Sequence, residues 1–314
     1  MPHKVAPRFE QAFSEFLDSR IIENLSLSTI NRDIGCLNKL SNYLENIDVK
    51  AIDELESTHL VGFVKSMSRS RQLPSLCGLV SSLRLVLSYL HINQYLTVDL
   101  SKHVPKVKAK PDGIPSVYSE DEVERMLGII DRASPKGKRD YAMCLLAARL
   151  GMRASDICEL TFVNLKWQRS TIEFFVKKTG KSAVLPLLDE VGESLIEYLR
   201  HGRPESTDNH VFLRLQKPYG KLLPSVLHSI VAQSFRGAGI SLLPGRRQGP
   251  HSLRASLASA MLNKNTPLPV ISEALTHSNT DTTLVYLKID ISHLRNYALD
   301  VPPLANVWMG GVPR

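Results

Sequence analysis

The stretch from Ser101 to Ser119, SKHVPKVKAKPDGIPSVYS, limits what this chain can fold into more than any other part of it. Pro105, Pro111 and Pro115 each fix φ and remove a backbone donor, so no continuous helix or central strand can cross it. Four lysines and almost no apolar periodicity complete the chemistry of a linker. With 314 residues there is enough chain for a core on either side. The expected division is a first domain over 1–104, a linker over 105–116 and a second domain over 117–314. The lysines fit contact with a polyanion and plain solvation equally well.

Before the linker the apolar spacing is helical. Phe9, Phe13, Phe16 and Leu17 fall on one face, and so do Ile30, Ile34, Leu37, Leu40 and Leu44, with Ser26 or Ser28 as cap. THLVGFVKSMS predicts a shorter helix and LPSLCGLVSSLRLVLSYLHINQYL a longer one. A domain of four to five helices follows. After the linker, Ser119 and Glu122 form a capping-box pattern, and RDYAMCLLAARL predicts a helix stopped at Gly151. Another helix, capped by Ser155 or Asp156, should follow Arg153. TIEFFV and SAVLPL read as a hairpin turning at Gly180, and further helices run to the C-terminal region.

Hydrophobic residues make up 43% and charged residues 22%, which argues for a packed core and against disorder. No run reaches the roughly 20 apolar residues of a membrane span. The N-terminal MPHKVAPRFEQAF has no apolar secretory core, so the expected location is cytoplasmic and nucleoid-associated. The formal charge of +8 suits a polyanion partner. Cys36, Cys77, Cys144 and Cys158 lack metal-ligand spacing, and no carboxylate cluster suggests a metal, so no cofactor and no metal are expected.

Five places in the second domain carry polar groups that could act together. They are Arg153, Lys178 at the hairpin tip, the pair His251 and Arg254 on one helix face, His277, and Tyr286 in TTLVYLKID. Each alone reads more simply as surface or core. As a set they suit phosphoryl transfer. Guanidinium groups clamp two nonbridging oxygens at once. A tyrosine with an ordinary pKa of about 10 needs a base or cationic surroundings to attack. A lysine can protonate the leaving oxygen.

In this order the segments resemble the tyrosine recombinase (phage integrase) family, in its mobile-element, Xer-like form. The family runs Arg, Lys on a β-hairpin, His-x-x-Arg, His or Trp, then Tyr. Here Arg153, Lys178, His251 with Arg254, His277 and Tyr286 meet it. The register counted back from VLPL selects Lys178 over Lys177 and Lys181. The resemblance implies a mainly α fold: a helical, SAM-like core-binding domain, then a mostly helical catalytic domain with a small β-hairpin or sheet. It implies that Arg153 and Arg254 hold the scissile phosphate, His251 acts beside the nucleophile, and His277 hydrogen-bonds the phosphate. Lys178 would protonate the 5′ oxygen, Tyr286 would take the 3′ phosphate, and Asp156 would orient its neighbours. Ser28, Thr29, Arg32 and Arg84 would face double-stranded DNA, although an ordinary surface explains them equally well. A homo-tetramer on DNA is implied, alone or with related recombinases, and no membrane partner. The tail around Leu294, Tyr297, Ala298 and Leu299 would pack on a neighbouring subunit rather than its own domain. Two departures stand out: Ala255, where many members carry His, and LTHS at 275–278, where LGHS is common. The implied activity is site-specific recombination serving integration, excision or transposition of a mobile element. The alternatives are a type IB topoisomerase and a catalytically silent DNA-binding accessory protein.

Overall fold

In the computed structural model, which describes residues 9–68, 73–107, 115–240 and 246–276, the chain separates into two units, Met1–Gly113 and Ile114–Arg314. The boundary falls inside the proline- and lysine-containing stretch. His277, Tyr286 and the tail residues from Leu294 to Leu299 lie outside the described residues.

The described part of the first unit holds α1 (Glu10–Ile22), α2 (Leu27–Asn46), α3 (Ser57–Ser68) and α4 (Leu73–Ile92), with short 3-10 turns at Ile52–Glu54 and Leu100–His103. Ser26 caps α2: its hydroxyl accepts from the Thr29 N–H at 3.3 Å. That leaves Ser28 in the first turn rather than at the cap. Phe9, Phe13 and Phe16 are buried, as the spacing predicts, and pack with Leu37, Leu40 and Leu44 of α2. By length and composition alone, Ser75–Ile92 could cross a membrane. Within the unit, however, Leu76, Leu79, Val80, Leu83, Val86, Leu87 and Leu90 are its buried face, each contributing on the order of 1.5–3 kcal/mol to the core. A polar network crosses this core. Asp33 is fully buried, accepts from Ser82 Oγ at 2.5 Å and from Arg20 Nε at 3.2 Å, and so joins α1, α2 and α4.

In the second unit, the Ser119–Glu122 capping box forms at both ends and starts α5 (Glu120–Gly128). α6 (Pro135–Arg149) is the central helix; every residue from Ala142 to Ala147 is fully buried, Cys144 included. Gly151 then reverses the chain with φ of +60°, and α7 (Ala154–Glu159) begins directly after Arg153. Arg153 itself is the N-cap residue. Ser155 and Asp156, expected as caps, fall in the first turn instead. A three-stranded antiparallel sheet follows, in the order β1 (Leu165–Lys166), β2 (Thr171–Phe175), β3 (Ser182–Pro186). β2 and β3 are the expected hairpin, with Phe175 opposite Ser182 and Gly180 at φ +67° in the turn. β1, only two residues long, is too short to show alternation in the sequence. α8 (Asp189–His201), α9 (Pro224–Gly237), α10 (Pro250–Asn263) and α11 (Leu268–Ala274) complete the described part. α10 packs on α6, and α11 packs on α10 through Ala258, Leu262, Ile271 and Leu275.

At Gly151 both the backbone and the space demand glycine. A Cβ there would lie 2.6 Å from Leu275 Cδ2 and 3.2 Å from Leu257 Cδ2, at a φ that L-residues rarely adopt. Gly151→Ala is therefore expected to destabilise the second unit by about 2 kcal/mol. The urea midpoint followed by tryptophan fluorescence checks this, since Trp167 and Trp308 both belong to that unit.

Candidate active site

Three segments distant in sequence meet around the C-terminal end of α11. The first is the turn between α6 and α7, carrying Arg153. The second is the first two turns of α10, carrying His251 and Arg254. The third is the turn at Leu275–Thr276. Arg254 is only 3% exposed and bridges the other two segments: Nη1 donates to the Gly151 carbonyl at 2.5 Å and Nη2 to the Leu275 carbonyl. Arg153 reaches the same turn. Its Nη1 donates to Thr276 Oγ1 at 3.1 Å and to the Thr276 carbonyl at 3.3 Å, and Nη2 donates to that carbonyl as well. The two guanidinium groups thus grip adjacent carbonyls of one turn, immediately before His277.

Asp156 sits beneath them, 2% exposed. Its Oδ1 accepts from the Lys177 backbone N–H at 3.0 Å, while Oδ2 is buried with no hydrogen-bond partner among the described residues, 3.9 Å from Arg153 Nη1. Burial pushes its pKa above the ordinary carboxylate value. The Lys177 N–H and the charges of Arg153 and Arg254 oppose that rise without cancelling it.

The hairpin turn at 177–180 brings in Lys178. Val176 N–H bonds the Lys181 carbonyl at 2.9 Å, and the Thr179 and Gly180 N–H groups bond back to the Val176 carbonyl. Lys177 turns toward α7 and pairs with Glu159. Lys178 is exposed and makes no ion pair among the described residues. It lies close enough to His251 for its charge to act on that ring. His251 is the second residue of α10 and exposed, with the His228 ring 6.3 Å away. Loss of hydration lowers its pKa first, and the charges of His228, Arg254, Arg153 and Lys178 lower it further. This lowering favours the neutral imidazole, the form able to accept a proton.

Arg153, Asp156, Lys178, His251 and Arg254 are therefore brought together. Together they make a positively charged site at the N-terminal end of α10, an environment suited to a phosphodiester. Among the described residues no group of His, Cys, Asp and Glu could hold a metal ion. Cys158 is buried, and burial raises its thiol pKa to about 12, which removes it as a nucleophile at neutral pH.

The DNA-facing candidates lie in the first unit. Ser28 and Thr29 take part in the hydroxyl cluster that caps α2, within 3.0 Å and 2.9 Å of Ser26 Oγ. Arg32 is half-exposed and donates from Nε to Ser82 Oγ at 3.2 Å. Arg84 donates from Nη2 to the Val104 and Pro105 carbonyls at 3.1 and 3.0 Å, fastening the start of the linker to α4. No sequence signal marks that backbone anchor. The same holds for Glu159, which pairs with Lys177 and Lys221, whereas Thr276, the acceptor for Arg153, is the residue by which LTHS departs from LGHS.

Comparison with known proteins adds the following. Residues 116–293 match the phage integrase family. The putative integrase/recombinase y4rA of Sinorhizobium fredii is 35% identical over 254 residues, 80% of this chain and 61% of its own length. The chain thus spans about three fifths of that relative. The putative integrase/recombinase y4gC of the same organism is 35% identical over 190 residues, 60% of this chain and 97% of its own length. Among solved structures, XerH site-specific recombinase bound to a palindromic difH substrate, in a post-cleavage complex, superposes with a TM-score of 0.71. The match covers 91% of this chain and 83% of that one at 20% identity, and it supports the likeness of fold alone.

The depressed His251 pKa makes a testable statement. An NMR titration is expected to put its midpoint below the ordinary 6.5, and Lys178→Ala should move it upward by removing one opposing charge. Since the folded value lies below the unfolded one, this group costs no stability above about pH 6.5 and destabilises progressively as the pH falls below it. His251→Gln should flatten that part of the stability–pH curve. A wild-type midpoint at or above 6.5 contradicts the account.

Proposed function

This chain belongs to the phage integrase family, the tyrosine recombinases, and on that premise we propose that it cuts and rejoins double-stranded DNA at specific sites through a 3′-phosphotyrosyl intermediate. One observation carries the reading. Arg153 and Arg254, far apart in sequence, converge on the same turn, with His251 and Lys178 within electrostatic reach. Two largely buried guanidinium groups gripping adjacent carbonyls of one turn match the two nonbridging oxygens of a phosphodiester.

In the proposed reaction Arg153 and Arg254 hold the scissile phosphate, and His277 adds a hydrogen bond. The Tyr286 oxygen attacks phosphorus while its proton passes to the neutral His251. The bond from phosphorus to the 5′ oxygen breaks, and that oxygen takes a proton from the Lys178 ammonium. Asp156 orients the hairpin and Arg153. The phosphotyrosyl bond keeps the energy of the phosphodiester, so a second 5′ hydroxyl can reverse the step on a new partner without a nucleotide cofactor. Exchanging both strands between two duplexes takes four cuts, which favours four copies acting together on DNA. The names of the relatives, integrase and recombinase, support mobilisation of a DNA element as the purpose. Ser28, Thr29, Arg32 and Arg84 are the proposed DNA contacts of the first unit.

Incubation with DNA from the flanks of the gene's own locus, followed by trapping of covalent complexes and sequencing of the junctions, tests the reading. Tyr286→Phe is expected to abolish the adduct and keep DNA binding; adducts that persist in it rule out Tyr286 as the nucleophile. Arg153→Lys should lose cleavage by at least about 100-fold, because a two-point clamp becomes a point charge. Cleavage at the wild-type rate would remove Arg153 from the site.

A further inference from the structure

The hairpin offers three lysines within five residues, Lys177, Lys178 and Lys181, and only one can deliver the proton to the leaving oxygen. The structure points to how that choice is made. Lys177 is anchored twice, at both ends of the same residue and by the same helix. Its backbone N–H bonds Asp156 Oδ1 at 3.0 Å, and its ammonium pairs with Glu159 Oε1. Asp156 and Glu159 are three apart on α7, so they line one face of the helix that begins at Arg153.

Glu159 is fixed in turn. Lys221 Nζ lies 2.9 and 3.0 Å from its two oxygens, and His210 Nε2 lies 3.6 Å from Oε2. Partial burial favours the neutral carboxyl, but the Lys177 and Lys221 ammonium groups outweigh it and bring the pKa down to about 2. Glu159 is therefore a permanent anion throughout the physiological range. Lys221 belongs to a bridge that pairs it with Leu213, so the anion is held on a framework outside the hairpin.

We infer that Glu159 is a positioning residue: by docking Lys177 on α7 it aims Lys178 at the leaving 5′ oxygen and keeps Lys177 from competing for it. This rests on the proposed role of Lys178 as the acid. The step concerned is the breaking of the bond between phosphorus and the 5′ oxygen. The bonding pair goes to oxygen, which takes a proton from the Lys178 ammonium and leaves a neutral amine. A misdirected Lys178 slows that proton transfer and no other part of the reaction. Replacing the 5′ oxygen with sulfur removes the need for the proton, because a thiolate is a far weaker base than an alkoxide and leaves unassisted.

The test compares cleavage of a nicked duplex, bearing the junction sequence recovered by adduct trapping, with its 5′-bridging phosphorothiolate counterpart. Glu159→Gln and Lys177→Met are each expected to slow cleavage of the oxygen substrate by about 10-fold, part of the roughly 100- to 10,000-fold that an acid commonly supplies. Their effects should not add in the double variant. All of them should return to within about 2-fold of the wild type on the sulfur substrate. Lys178→Ala serves as the reference. If it is slowed and rescued by sulfur while Glu159→Gln is unaffected or stays slow on sulfur, the docking role is overturned and the acid assignment stands. If sulfur fails to rescue Lys178→Ala, both are overturned.

A second measurement needs no DNA. Under limiting reductive methylation of the wild-type chain, Lys177 should react more slowly than Lys178, and Glu159→Gln should remove the difference. Equal labelling in the wild type would show that Lys177 is not held and would overturn the inference.

Discussion

One buried cation, Arg254, ties together three segments of the described part of the second unit. The Arg254 guanidinium has almost no access to water and donates to the carbonyls of Gly151 and Leu275. Removing a cation from water is costly unless its donors are satisfied, so these two carbonyls must stay where they are. That requirement fixes the turn after α6, the start of α10 and the end of α11 relative to one another. It also explains the glycine at 151. The chain must reverse close to Leu275 and Leu257 while aiming its carbonyl at Arg254, and a Cβ would collide there. The group proposed to hold the phosphate is thus also the group that ties these three segments together.

The charge balance follows from this arrangement. Among the described residues, Arg153 Nη1 lies 3.9 Å from an Asp156 carboxylate oxygen, and the charge of Arg254 also acts on that carboxylate. The carbonyls that accept from the two arginines are dipoles and carry no net charge. Loss of hydration lowers the His251 pKa most, and the positive charges of His228, Arg254, Arg153 and Lys178 lower it further, a setting that a bound phosphodiester would offset. Farther out along the hairpin the sign reverses locally. Glu159 takes up the neighbouring Lys177 and the distant Lys221, so the positive charge of the hairpin is focused on its tip rather than spread along it.

Much of this is legible in the sequence, for identifiable reasons. The helices of the first unit follow from apolar spacing because each buries one face in a single core, and Ser26 and Ser119 mark helix starts through hydroxyls bonded three residues on. The hairpin follows from alternation and from Gly180. Arg153, Lys178, His251 and Arg254 stand out by their order and by the phosphate chemistry that needs them together. The two-residue β1 is not legible, since its pairing with β2 depends on the partner strand. The start of α7 misleads because Ser155 and Asp156 have cap chemistry, yet Asp156 is drawn inward to the Lys177 N–H. Glu159 and Lys221, 62 residues apart, and Arg84 with its linker carbonyls meet only through tertiary folding. No spacing rule connects them.

Thr276 shows why a departure from a pattern can be read as structure. A β-branched residue is unfavourable at positive φ, and Thr276 sits at +52° in a position where glycine would be relaxed. What offsets the strain is visible in its contacts. Its hydroxyl and its carbonyl both accept from Arg153, so threonine supplies an acceptor that glycine lacks. Those bonds restrain the Arg153 side chain through the same turn that Arg254 grips at the Leu275 carbonyl. Any displacement of that turn must therefore be felt by both arginines together, which makes residues 275 and 276 the mechanical link between the two halves of the proposed phosphate clamp.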